Sequence, residues 1–201
     1  MTRLRRAPLF AVLGVAALAA VACGNTDTET DSSATGPSST APAEADHNQA
    51  DVEFLQGMIP HHEQAVVMSD LALERSQSPR VRTLAEQIKG AQQPEIDHMN
   101  SLLAGWGVEA AGGGHEGGHG GGGIHPGMLN DDELAQLRGA EGAEFDRLFL
   151  EGMIGHHRGA VTTSQAELAE GQAPEAKELA QAIIDAQEAE IAEMEQILTE
   201  L

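Results

Sequence analysis

Two pairs of adjacent histidines carry the chemistry that this sequence writes twice. Positions 57–68 read GMIPHHEQAVVM and positions 152–163 read GMIGHHRGAVTT, so His61 and His62 recur as His156 and His157 in one shared frame. Imidazole keeps a lone pair near neutral pH and serves as metal ligand or proton carrier. Methionine accompanies it in both copies, as Met58 and Met68 in the first and Met153 in the second. Thioether sulfur selects Cu(I), and imidazole suits copper, zinc, iron or nickel. Cys23 is the single cysteine, so no disulfide forms within the chain. A soft-metal site here must be built from methionine and histidine.

The frame around the histidines is an internal repeat. A shift of 95 residues lays Phe54-Leu55 on Phe149-Leu150 and Gly57-Met58-Ile59 on Gly152-Met153-Ile154 without a gap. The register continues through Pro79 on Pro174, Gln92 on Gln187, Glu95-Ile96 on Glu190-Ile191, Met99 on Met194 and Leu103 on Leu198. A match this long marks a duplicated unit.

Each unit reads as a helical hairpin. Apolar spacing predicts a helix over 46–76, a break at SQSPR with Ser78 as N-cap and Pro79 in the first turn, and a second helix over 80–104. The second unit predicts one helix over 131–170, capped by Asn130 or Asp131, a break at Gly171 to Pro174, and a last helix to about 200. β-Branched and aromatic residues are too sparse for a sheet. The expected fold is all-α, a four-helix bundle of two duplicated antiparallel hairpins.

At 100° per residue, Phe54, Met58, His61, Ala65, Met68 and Ala72 fall within about 40° of one line, and Leu55, Ile59, His62, Val66 and Leu73 form the adjoining stripe. Both histidines thus point into the bundle. On the partner helix Leu84, Ile88, Glu95, Met99 and Leu102 share a face, with Gln92 beside it and His98 at its edge. A buried carboxylate needs a partner, and the facing histidines are the candidates for Glu95 and, in the second unit, for Glu190 near Met194. Two readings stay open on spacing alone. One is a His–Glu pair that fixes helix register, with methionine as adaptable filler. The other is a copper site.

The ends and the middle place the bundle outside the cytoplasm. Arg3, Arg5 and Arg6 precede an apolar run over 9–22, which ends in Ala20-Val21-Ala22 before Cys23. This describes a secretory signal peptide over 1–22, and its end resembles the bacterial lipobox, whose cysteine is lipidated. The run is shorter than the ~20 apolar residues of a membrane span. Residues 23–45 hold no large apolar side chain and read as a lipid-anchored disordered tether. The hairpins then occupy 46–107 and 131–201, joined by a Gly/His-rich crossover over 108–130 with His115, His119, His125 and Met128 as an accessory metal-collecting arm. A net charge of −21 disfavours nucleic acid and anionic lipid heads as partners, so membrane association rests on the lipid alone. No protein partner is indicated.

The strings F-L-x-G-M-I-x-H-H-x-x-A-V and L-A-x-x-I-x-x-x-Q-x-x-E-I-x-x-M, present in both halves, resemble the exported bacterial proteins of domain-of-unknown-function family 305. The resemblance covers 46–201 and implies a ferritin-like four-helix bundle, with copper binding or copper tolerance in some members. It implies copper handling for Met58, His61, His62, Met68 and Met99, and for Met153, His156, His157 and Met194; sequestration or delivery of Cu(I) is the expected role. Thr163 stands where the first half has Met68. Zinc and iron remain alternatives. A di-iron carboxylate centre wants paired Glu-x-x-His motifs, and Glu95 to His98 is answered by Glu190 to Glu193, which lacks the histidine. A lipid-anchored interaction module without metal is the third reading. No nucleophile triad, phosphate loop or nucleotide fingerprint points to an enzyme.

Overall fold

A computed structural model describes residues 46–110 and 125–201. The segments expected to be a signal peptide and a tether carrying Cys23, together with His115 and His119 of the crossover, lie outside the described residues. Among the described residues five helices follow one another: α1 (Gln49–Arg75), α2 (Pro79–Gly105), α3 (Asp131–Gly139), α4 (Gly142–Glu170) and α5 (Pro174–Leu198). The described residues contain no strand, and no helix among them is long and apolar enough to cross a membrane.

Local chemistry explains the boundaries. Asn48 closes a capping box with Asp51 at the start of α1, and Asn130 closes one with Glu133 at the start of α3. Ser78 caps α2 with Pro79 behind it, whereas Ala173 offers α5 no side-chain cap and leaves Pro174 to set the first turn. The helix expected over 131–170 is in fact two. Gly139 ends α3, Ala140 and Glu141 are extended, and α4 opens on Gly142 at φ +58°, a conformation that favours glycine. The apolar period carries on across this break, so sequence spacing did not reveal it.

α1 packs along α2 and α4 along α5, giving two hairpins. The main seam between hairpins is α1 against α4; α2 and α5 meet more thinly. The core divides into two apolar clusters. One joins Ala65, Met68 and Ala72 of α1 to Leu84 and Ile88 of α2, Phe149 and Met153 of α4, and Met194 and Ile197 of α5. The other joins Phe54, Leu55 and Met58 of α1 to Ile96, Met99 and Leu103 of α2, Ala160 of α4, and Ala180 and Ile183 of α5. Every long helix crosses from one cluster to the other, and each does so at polar residues.

Candidate metal centre

The crossing points form a belt around the waist of the bundle. α1 contributes His61 and His62, α2 Gln92 and Glu95, α4 His156 and His157, and α5 Gln187 and Glu190. The four histidines are at most 1% exposed, and the two glutamines 2%. A polar layer this deep costs stability unless its groups are satisfied, so the state of each atom matters.

The outer histidines are tied to the facing helices. His62 Nε2 lies 2.7 Å from Glu95 Oε2, and His157 Nε2 lies 2.6 Å from Glu190 Oε2. The amphipathic geometry that put a carboxylate on a core stripe thus supplies its partner within the same hairpin. The inner histidines meet across the seam. The His61 and His156 rings are 3.7 Å apart between centroids and tilted by 41°. His61 Nε2 lies 3.1 Å from the Pro126 carbonyl.

These acceptors fix tautomers. A nitrogen opposite a carbonyl or carboxylate carries a proton, so His61, His62 and His157 donate from Nε2 and turn Nδ1 the other way. None of those Nδ1 atoms has a hydrogen-bond partner, and His156 has none at either nitrogen. Gln92 and Gln187 likewise leave both amide atoms unpartnered. Burial pushes His61 down from 6.5 to about 3; the Pro126 carbonyl opposes this, while His62, His125 and His157 act with burial. Burial also holds His156 well below 6.5, helped by His61, His157 and His62, while the His61 carbonyl, near the ring but outside hydrogen-bonding geometry, opposes. Both rings are therefore neutral, and a cation reaching them displaces no proton.

The thioethers flank the belt rather than sharing it. Met58 and Met99 belong to one cluster, and Met68, Met153 and Met194 to the other, all at most 1% exposed. The single Met–His face read from α1 is therefore a histidine belt between two methionine groups, because Met58 and Met68 stand a turn or two to opposite sides of His61. Thr163, the counterpart of Met68, turns its hydroxyl back to the Gly159 carbonyl at 3.1 Å and offers nothing to the core. His98 is exposed, and Met128 is half-buried beside α3 and α4. Glu63 and Arg158, where a di-iron centre wants carboxylates, are both exposed. Among the described residues no three His, Cys, Asp or Glu side chains converge as a preassembled metal site. The donor set is two touching imidazoles, two more with unpartnered Nδ1 atoms, and thioethers nearby. It suits a soft ion of low coordination number.

Gln92 and Gln187 were placed by the sequence beside the facing stripe but not among its candidate site residues. Their signal was present, since each lies three residues before the paired glutamate and recurs in register.

A family profile, the domain of unknown function DUF305, matches residues 51–198. A DUF305 fragment from Deinococcus radiodurans is 34% identical, with a TM-score of 0.67 over 77% of this chain and 98% of that one. A DUF305 protein of Streptomyces coelicolor described as secreted is 29% identical, with a TM-score of 0.68 over 78% and 94%. CopM in its Cu(I)-bound form is 29% identical, with a TM-score of 0.62 over 75% and 96%, and CopM structures with Cu(II) and silver resemble the chain similarly. An uncharacterized protein of Acanthamoeba polyphaga mimivirus is 47% identical over 53 residues, 26% of this chain; the match spans only 35% of that relative's length.

Proposed function

The chain belongs to the DUF305 family, and from that premise we propose that it is an extracytoplasmic copper-binding protein that holds Cu(I) at the histidine belt for sequestration or delivery. One observation carries the reading. Three belt histidines commit Nε2–H to an oxygen and leave a buried, unpartnered Nδ1, and His156 leaves both nitrogens unpartnered. Metal-bound histidines commonly donate their second ring nitrogen to a carboxylate or carbonyl, which fixes the ring and raises its basicity. A bare lone pair in the core wants a donor or a Lewis acid. The binding of copper and silver by CopM supports the choice of ion.

The roles divide by position. His61 and His156 are the nitrogen donors on the seam, and their contact favours one shared site over two. His62 and His157, oriented by Glu95 and Glu190, are further donors. Met58, Met99, Met68, Met153 and Met194 supply sulfur from either side and bias the belt toward the reduced ion. Dry, apolar clusters above and below keep water from the bound ion. The signal peptide, lipidation at Cys23 and a metal-collecting role for His115, His119 and His125 belong to the same proposal.

Cu(I) titration of the metal-stripped chain against a chromophoric chelator, without oxygen, tests this. The parent is expected to bind one copper tightly, and the His61→Ala/His156→Ala double variant to lose it. Two coppers per chain would favour separate half-sites. Binding that survives in the variant would move the site away from the seam. No competition with the chelator would leave the His–Glu pairs as register-fixing bonds in a metal-free interaction module.

A further inference from the structure

The seam that brings His61 to His156 is covered by the last residues of the crossover. Segment 125–129 lies along the groove between α1 and α4, and its fit depends on missing side chains. A Cβ at Gly159 would stand 1.7 Å from the Pro126 carbonyl oxygen, and one at Gly57 would stand 2.1 Å from the His125 ring. Gly127 turns at φ +85° against the Gly155 carbonyl, where a Cβ would come within 2.3 Å. These are contacts that real Cβ atoms do not make, so glycine at these positions is a condition for the segment to lie where it does. Gln64 completes the seat. Its amide donates to the Leu129 carbonyl at 2.9 Å and accepts from the Leu129 amide at 2.8 Å.

With the segment in place His61 and His156 are 1% and 0% exposed. Its own residues are not deeply held: Pro126 and Gly127 are exposed, and His125 and Leu129 are half-buried. A strap whose main apolar anchor is Leu129, held by Gln64 and by the His61 bond to the Pro126 carbonyl, opens at far lower cost than four packed helices. We propose that segment 125–129 is a gating strap. Its lifting admits an ion to the histidine pair and releases it, and Gln64 sets how often that happens. This rests on the copper reading given above, and it adds that the strap governs exchange rate while the belt governs affinity.

Two variants loosen the strap without substituting a proposed ligand, and Gln64→Leu also leaves the His61 bond to the Pro126 carbonyl in place. Gln64→Leu removes both bonds to Leu129, and Gly159→Ala puts a methyl into the Pro126 carbonyl. The first readout needs no metal: diethyl pyrocarbonate modification of His61 and His156 in the metal-free chain, followed by peptide mass spectrometry. Gln64→Leu is expected to modify about ten- to thirtyfold faster than the parent, the factor for two ordinary hydrogen bonds, and Gly159→Ala, which displaces the Pro126 carbonyl, is expected to modify faster as well, both with helical content unchanged. The second readout is Cu(I) loading and release, which should accelerate together by that factor and leave the dissociation constant within about threefold. Unchanged histidine reactivity in folded Gln64→Leu would overturn the gate, as would a shifted dissociation constant with unchanged rates. If Gly159→Ala fails to fold, Gln64→Leu decides alone. If the parent binds no copper, the copper reading falls, and the modification rates still judge the strap.

Discussion

Glu167 should make this bundle less stable as pH rises from 5 to 9. It sits in the last part of α4, 2% exposed, facing Asp51 in the first turn of α1, which is fully buried. The Asp51 oxygens are already taken: Oδ1 accepts from the Gln172 and Ala173 amides at 2.9 Å each, and Oδ2 accepts from the Asn48 amide at 2.5 Å. Burial would raise Asp51, but the Asn48 amide, Glu167, and the Ala173 and Gln172 amides together bring it below 3.8. Glu167 has no such amides. Burial, then the contact with Asp51, raises it from 4.5 to about 8, with Lys177 opposing. Its oxygens lack a donor when ionised, but a protonated Glu167 can itself donate to Asp51.

The sign follows from proton linkage. Glu167 holds a proton in the folded state where the unfolded chain has lost it, so its contribution is full below 4.5 and disappears as pH climbs to about 8. Asp51 works in the opposite sense, contributing above 3.8 and losing that contribution in acid. The pair is therefore strongest near pH 4 to 5. A shift from 4.5 to about 8, at ~1.4 kcal/mol per unit, sets a ceiling near ~5 kcal/mol. The two helix ends can separate locally and admit water, which caps the loss at the cost of fraying two turns, roughly 2 kcal/mol. Glu167→Gln keeps a donor toward Asp51 and removes the titration. Urea unfolding of parent and variant at pH 5, 7 and 9 isolates the pair, since all other groups cancel in the difference. The parent should lose about 2 kcal/mol relative to Glu167→Gln between pH 5 and 9. Parallel profiles, constant to within about 0.5 kcal/mol, would refute the shared proton.

Other substitutions test the belt and its frame. Glu95→Ala leaves His62 Nε2–H without its acceptor and should cost about 1–3 kcal/mol by urea midpoint; no loss would mean that water replaces the carboxylate freely. Met68→Leu conserves volume and should cost under ~1.5 kcal/mol, whereas Met68→Ala should cost about 2–5 kcal/mol. On the copper reading the leucine variant also weakens Cu(I) binding, and an unchanged affinity would confine Met68 to packing. A Cβ at Gly90 on α2 meets nothing within 4 Å, so Gly90→Ala should raise thermal stability by up to ~1 kcal/mol. Gly142→Ala, at φ +58°, should lower stability by about 1 kcal/mol in the same melt.

The repeat and the 3.6-residue period made the hairpins legible, because every buried stripe recurs 95 residues on. A His–Glu pair at Glu95 was legible for a sharper reason, since a carboxylate on an apolar stripe demands a partner and histidines face it, but the choice of His62 over His61 came only with the packing. The contact between His61 and His156 was not legible. It depends on which helices form the seam, and two hairpins with identical stripes can pair through either. The break between α3 and α4 was hidden by glycines inside an uninterrupted apolar pattern. The strap was hidden too, since composition marked 108–130 as one glycine-rich linker. Only packing separates its last residues from the rest.

The strap also explains why joining two like hairpins differs from pairing them. Gly57 and Gly152 are repeat counterparts, as are Gln64 and Gly159. The segment touches all four, so it straddles the pseudo-twofold axis that passes between His61 and His156. An axis offers one seat. Two separate identical chains would bring two copies of any covering segment to that seat, and one would always be displaced. They would also bring identical residues to its two ends, so glycine and glutamine could not both stand at one repeat position. A single continuous chain escapes both restrictions. It supplies one cover per pair of histidines, and it can make one rim yielding and the other adhesive.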